Sequence, residues 1–435
     1  MEERITDENN FGGNNLKSEF NLVYADHNGE LRFDPELLPL GATGEEYWEL
    51  AAEDLVPLPP GADLFFLPGR RPIGLDLRTG EPVTIDEEDF TAVAAILPQG
   101  YTRLFLPAYQ RSSEAPQLPL YGYTAVAAKD GQLYAAVRCT DEVEKWNPLL
   151  YNSPDLPSLI EKKLSKCNNN RILRQLAKCA LEYHCLTAQN IFYGRWEGGI
   201  PVSPSCNAQC LGCISKQPAE CCPSAQERIN FQPAIKEVLE IALPHLSGKE
   251  AIISFGQGCE GEPLLAWELI KEAIKEIREE TGEGTININT NAGMPEALAE
   301  LARVGLDSAR VSIFSTNPQY YSLYHQPQNY TFSQVTESID RLREQSVFVS
   351  INLLALPGFT DRQSQMEDLF RFLQAHPVDM IQMRNLNIDP DFIWERIMKS
   401  KRPLTGEILG VSKFLDELAR EFPKIIIGNY SRALH

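Results

Sequence analysis

No stretch of this chain approaches the ~20 consecutive apolar residues that a membrane-spanning helix needs. The acidic start, Met1-Glu2-Glu3-Arg4, lacks the apolar run of a secretory leader. Positive charge is short as well. Forty Lys and Arg stand against 60 Asp and Glu, a formal charge of −20. That balance argues against broad nucleic-acid binding, because phosphate affinity depends on neutralisation by basic side chains. The one basic run is Lys162, Lys163, Lys166, Arg171, Arg174 and Lys178, and it reads as a solvated helix face. Internal repeats and low-complexity tracts are absent. No cysteine lies beyond position 259. Together these absences point to a cytoplasmic protein that avoids membranes and nucleic acid. Its ten cysteines are then reduced thiols or metal ligands rather than disulfides.

What is present suggests an α/β chain of several parts, long enough for a sizeable core. Residues 1–30 read as a polar lead. Residues 31–150 read as a β-rich domain. Within it, Tyr121–Ala127 and Leu133–Val137 flank Asp130-Gly131, a hairpin signal. Residues 151–195 carry a helical pattern and form a connector. From 196 to 390, strand and helix patterns alternate. The candidate strands are 199–203, 250–255, 285–290, 309–314, 347–353 and 378–383. Repeated βα units predict a parallel sheet with helices outside. Six strands fall short of the eight that close a TIM barrel. Residues 391–435 read as a helical tail.

The most informative motif is Cys206-Asn207-Ala208-Gln209-Cys210-Leu211-Gly212-Cys213. Three thiolates at this spacing can face one point and suit an iron–sulfur cluster. A four-iron cluster held by three cysteines keeps one iron open for a ligand that is not protein. Zinc is the bland alternative, with Cys210 and Cys213 as half of a four-ligand knuckle and two further partners from Cys206, Cys221 or Cys222. The segment Gly256-Gln257-Gly258-Cys259-Glu260-Gly261 follows a strand and matches the dinucleotide pattern G-x-G-x-x-G. Against that reading, Glu260 stands where pyrophosphate would sit. The next strand also ends in Thr290-Asn291, without the acidic residue a ribose needs.

The C-x3-C-x2-C spacing resembles the radical S-adenosylmethionine (SAM) superfamily, from about Gly198 to Asn387. The resemblance implies a partial (β/α)6 barrel with its site at the C-terminal strand ends. It implies a [4Fe–4S] cluster on Cys206, Cys210 and Cys213 whose open iron chelates SAM, and release of a 5′-deoxyadenosyl radical that acts on a peptide, protein or small molecule. An electron donor such as flavodoxin or ferredoxin is implied too. Glu260-Gly261-Glu262-Pro263 resembles the family's glycine–glutamate motif, with Glu262 the first choice for SAM's ammonium and Glu260 the second. Asn291, Ser312, Asn352 and Met383 match positions near SAM on the later strands. Gly212 departs from the family, which often has an aromatic residue there. Around the substrate, Arg384, Asn385, Asn387 and Asp389 could line a cavity that Tyr320, Tyr321, Tyr324 and His325 cap. Two other functions stay open: a non-catalytic iron–sulfur or zinc protein, and a nucleotide-dependent oxidoreductase using the Gly256–Gly261 loop.

Overall fold

A computed structural model describes residues 19–85, 90–217 and 222–435. Most of the expected polar lead, residues 1–18, and Cys221 lie outside the described residues. The centre of the fold is one parallel sheet whose seven strands are neighbours in chain order. They are Glu197–Gly199, Ile252–Phe255, Thr285–Thr290, Ser308–Ile313, Phe348–Ala355, Met380–Asn385 and Ile426–Gly428. Helices between them, such as Trp267–Glu280, Pro295–Arg303 and Phe332–Glu344, pack on the outer face. This is the expected partial barrel, extended by one strand. The seventh strand comes from the segment expected as a helical tail, where Met380 and Ile381 register with Ile426 and Ile427.

The strands themselves report that only one face is packed. A parallel strand covered on both faces is apolar throughout. Here Ile286 and Ile288 join the outer core, while Asn287 and Asn289 alternate with them on the inner face. The same period of two puts Ala309, Val311 and Ile313 outside and Ser308, Arg310 and Ser312 inside. It puts Ile351 and Leu353 outside and Asn352 inside. The concave face is therefore polar.

The first strand ends earlier than its sequence suggests. Gly199 is its last residue, whereas the apolar pattern extends to Ser203. The reason is a change of acceptor: the Val202 and Ser203 N–H groups donate to Glu260, not to a neighbouring strand.

The N-terminal part is antiparallel. Its first strand, Leu22–Ala25, falls inside the expected polar lead and pairs with Leu31–Asp34. The hairpin forms as expected: Lys129 pairs with Gln132 across Asp130 and Gly131, both at positive φ. Three helices follow, Leu156–Lys166, Arg171–Leu181 and Leu186–Tyr193. On them the basic run is largely committed to protein partners: Arg171 pairs with Glu237, Lys178 with Glu227, and Lys163 donates to the Ile191 carbonyl.

The β-rich part is fixed to the end of the sixth barrel strand by buried cations. Arg103 donates to the carbonyls of Tyr123, Ala355 and Leu386. Arg70 reaches Asp389 at 3.0 Å and Asp391 at 2.8 Å, with the Arg70 and Asp389 side chains almost wholly shielded. Removing one partner strands the other as an uncompensated buried charge. Arg70→Met should therefore cost about 3–5 kcal/mol, read by urea or thermal unfolding. A loss below about 1 kcal/mol would mean that the ion pair does not anchor the two parts.

Candidate functional site

The three-cysteine loop crosses the C-terminal end of the sheet and is held there from both sides. On one side, the N–H groups of Gly261 and Glu262 donate to the carbonyls of Ser203 and Ser205. Gly261 is required by this approach, since a Cβ would collide with the Ser205 carbonyl. On the other side lies the helix Pro318–His325. The Gln209 N–H donates to the His325 carbonyl at 3.1 Å, and the Leu211 N–H to the Tyr324 carbonyl at 3.0 Å.

Two buried carboxylates do the fastening, in different ways. Glu260 accepts at one oxygen from Val202 and Ser203 N–H (2.8 and 2.9 Å). Its other oxygen accepts from Gly256 and Gln257 N–H (2.5 and 3.1 Å). A carboxylate has about four lone-pair sites. All four are used, so Glu260 has none left for a ligand. These bonds also occupy the loop N–H groups that a pyrophosphate would need, which removes the dinucleotide reading. Glu262 accepts from Leu264 N–H, from the Thr290 hydroxyl at 2.5 Å and from Asn291 N–H at 2.8 Å. One lone-pair site remains. Burial pushes both carboxyls up to about 7, and the donors around each pull the other way.

The cysteines share one locality. Burial raises the Cys210 thiol, and the charges of Cys213 and Cys206 raise it further. Burial also raises Cys206, with Glu262 and Cys213 adding to it. Among the described residues, no three His, Cys, Asp or Glu side chains converge on a point that a single ion would fill. Zinc thus finds no complete ligand set among them. A cluster places less demand on convergence, because each thiolate binds a different iron. The three thiols are soft donors of the kind such a cluster takes.

Two of the sulfurs receive hydrogen-bond donors that the sequence motif does not contain. His325 Nε2 accepts the Phe314 N–H at 3.1 Å. The ring proton is therefore on Nδ1, which faces Cys210 Sγ at 3.4 Å. Arg228 Nη2 lies 3.6 Å from Cys213 Sγ and also donates to the Ser215 hydroxyl. His325 was expected as a cavity cap; it is buried instead, stacked on Tyr321. Tyr324 accounts for the glycine at 212. A Cβ on Gly212 would lie 2.7 Å from the Tyr324 hydroxyl, so a larger side chain would collide with that ring of the helix Pro318–His325.

The remaining expected residues divide. Thr290 and Asn291 meet Glu262, and the Asn291 side chain donates to Asn207 of the cysteine loop at 2.7 Å. Ser312 and Asn352 both face the interior, 3.4 Å apart. Met383 does not: its side chain packs in the outer core, so only its backbone borders the interior. Asn385 and Asp389 do not line a cavity either. Asn385 binds the backbone of Tyr101 and Arg103, and Asp389 holds Arg70. Cys259 is engaged with Cys179 on the helix Arg171–Leu181, with Cys185 nearby. Arg310 escaped notice beside Ser312, although the period of two puts both on one face. A separate cavity of about 240 Å³ lies at the opposite strand ends, lined by Trp146, Trp196, Glu197 and Tyr430 among others, away from the cysteines.

Residues 200–373 match the family model of the Radical SAM superfamily. That segment is a radical SAM domain. Members of the superfamily use a [4Fe–4S] cluster and SAM. Over 197 residues the chain is 26% identical to the FeMo cofactor biosynthesis protein NifB of Klebsiella pneumoniae, covering 40% of each chain. Over 166 residues it is 26% identical to the GTP 3′,8-cyclase of Sulfurovum sp. (strain NBC37-1), covering 38% of this chain and 47% of that one. The match thus spans less than half the length of either curated relative. Among solved structures, methylornithine synthase is similar at 15% identity and a TM-score of 0.37, covering 62% of this chain and 78% of that one. No helix among the described residues is long and apolar enough to cross a membrane.

Replacing Glu260 with Gln turns one acceptor oxygen into an NH2 group that faces two N–H donors. Glu260→Gln should destabilise the protein by about 2–4 kcal/mol, measured by denaturant unfolding. An unchanged midpoint would show that the four bonds do not hold the loop.

Proposed function

We propose that this chain is a radical SAM enzyme that binds its [4Fe–4S] cluster through Cys206, Cys210 and Cys213 and acts on a substrate held against the polar inner face of the barrel. The observation that carries the reading is the meeting of the three-cysteine loop, Glu262 with its free lone-pair site, and Thr290-Asn291 at one end of the sheet. Bound there, the cluster and SAM would supply one-electron reductive cleavage of a sulfonium C–S bond and, through it, hydrogen-atom abstraction from the substrate.

The chain's own residues bind, orient and shield. Glu262 offers its remaining acceptor to an ammonium, a charge-assisted bond of the stronger kind. Thr290 and the Asn291 N–H hold that carboxylate in place. Ser312 and the unpartnered Asn352 Oδ1 present polar groups to the ribose or adenine side of SAM. The backbone of Met383 provides an edge on the sixth strand. His325 and Arg228 steady the sulfurs of Cys210 and Cys213. The electron comes from an external donor of the flavodoxin or ferredoxin class in the reducing cytoplasm.

Anaerobic reconstitution with iron and sulfide, followed by reduction with SAM present, should release 5′-deoxyadenosine, and Cys210→Ala should abolish it. Tight binding of zinc in place of iron, or an intact cluster that leaves SAM uncleaved, would overturn the assignment. A second expectation concerns the cluster's potential. Hydrogen bonds to cluster sulfurs make reduction easier by spreading negative charge. His325→Phe should lower the midpoint potential in a redox titration followed by electron paramagnetic resonance, and His325→Gln should lower it less. Equal potentials in all three proteins would rule out the Nδ1–H to sulfur bond.

A further inference from the structure

The concave face carries two cations that form no ion pair among the described residues. Arg310 and Arg384 extend from the fourth and sixth strands on the side away from the helices, and both are half-buried. Their hydrogen-bond partners are neutral. Arg310 Nη1 donates to Gln382 Oε1 at 3.2 Å, and its Nε has no partner. Arg384 Nη1 donates to Gln99 Oε1 at 3.2 Å and to the Asn429 carbonyl at 2.7 Å. Among the described residues, neither guanidinium has a carboxylate within ion-pair distance, although other arginines of this acidic chain do. The acid that both sense is Glu197, and it is engaged with the Ser254 hydroxyl at 2.7 Å and Gln257 Nε2 at 3.2 Å. Two cations therefore face one anion.

Such an arrangement is costly in isolation. Guanidinium stays charged in proteins, so these groups do not escape by losing protons. Burial followed by the charge of Arg310 pushes Arg384 down to about 10. A buried charge without a partner is destabilising. The same face holds a further unused donor: Asn289 Nδ2 is buried and has no hydrogen-bond partner. On this one face, then, Arg310 Nε and Asn289 Nδ2 have no acceptor, and both guanidiniums have only neutral acceptors.

We propose that Arg310 and Arg384, with Asn289, form an oxyanion subsite for the substrate, so that the molecule acted upon carries a carboxylate or phosphate group inside the barrel. The proposal rests on the radical SAM reading for the identity of the site. SAM's own carboxylate is the competing occupant. It is the weaker candidate because the resemblance commits that group to the open iron. Arg310 also lies two residues deeper in its strand than Ser312, farther from the cysteine end. Arginine suits the task, since its planar fork matches both carboxylate and phosphate.

The test uses the reconstituted full chain and two probes, inorganic phosphate and glutarate, titrated by calorimetry. At least one should bind. Arg310→Gln and Arg384→Gln should each weaken it tenfold or more, Arg310→Lys should weaken it less, and the exposed Arg420→Gln should leave it unchanged. SAM affinity should stay within twofold in every variant. The stronger probe tells whether the subsite prefers a carboxylate or a phosphate. Failure of both probes to bind, or binding indifferent to both glutamine variants, would overturn the subsite. Loss of SAM affinity in parallel with the probe, with SAM competing for it, would instead assign the arginines to SAM. Release of 5′-deoxyadenosine is scored separately. Cleavage without anion binding sinks only the subsite, whereas anion binding without cleavage sinks only the radical SAM reading.

Discussion

Everything at the working end of this fold depends on carboxylates that accept backbone N–H groups. A loop bearing three cysteines has no secondary structure of its own to define it. Glu260 supplies that definition by joining the end of the first strand to the glycine loop after the second. Glu262 extends the joint to the third strand through Thr290 and Asn291. Neighbouring acids in one short motif thus have separate duties, distinguished by counting lone pairs. A saturated carboxylate is a fastener. One with a vacant site can also meet a ligand.

The same counting explains why the inner face differs from an ordinary core. The outer face satisfies itself with aliphatic side chains and helices. The inner face carries Asn, Ser, Gln and Arg, and several of their polar atoms have no protein partner: Arg310 Nε, Asn289 Nδ2 and Asn352 Oδ1. Native interiors rarely leave such groups unmet. These three atoms share the concave surface, whereas others of the kind, such as Thr43 Oγ1 and Trp394 Nε1, lie elsewhere in the fold.

Much of this was legible in the sequence because it depends on local pattern. The C-x3-C-x2-C spacing, the βα alternation and the Asp-Gly hairpin each follow from residues close together in the chain. Distinguishing Glu260 from Glu262 was not, because it needs the partners that folding brings from Val202 and Thr290. The ring that crowds Gly212 lies more than a hundred residues away, in Tyr324. The seventh strand is only Ile426–Gly428, too short for a periodicity to stand out, and its neighbour is set by the fold. Asn385 and Asp389 misled for the opposite reason. Polar residues just past a strand end look like a site, yet their partners, Arg103 and Arg70, sit some 280 to 320 residues earlier.

Those long-range ties give the β-rich part a role in the barrel itself. A partial barrel has an open edge, and an exposed edge strand invites unwanted pairing. Here Asp141, just after the last strand of the β-rich part, accepts the Asn429 N–H beside the seventh strand and also holds Arg432. Gln99, from the same part, reaches inward to Arg384. The segment that covers the edge therefore also touches one of the unpaired cations. Occupation of the inner face by an anion would bear on the Arg384–Gln99 contact, and through it on how firmly the β-rich part sits. An anion bound there would share Arg384 with the contact that ties Gln99 to the barrel.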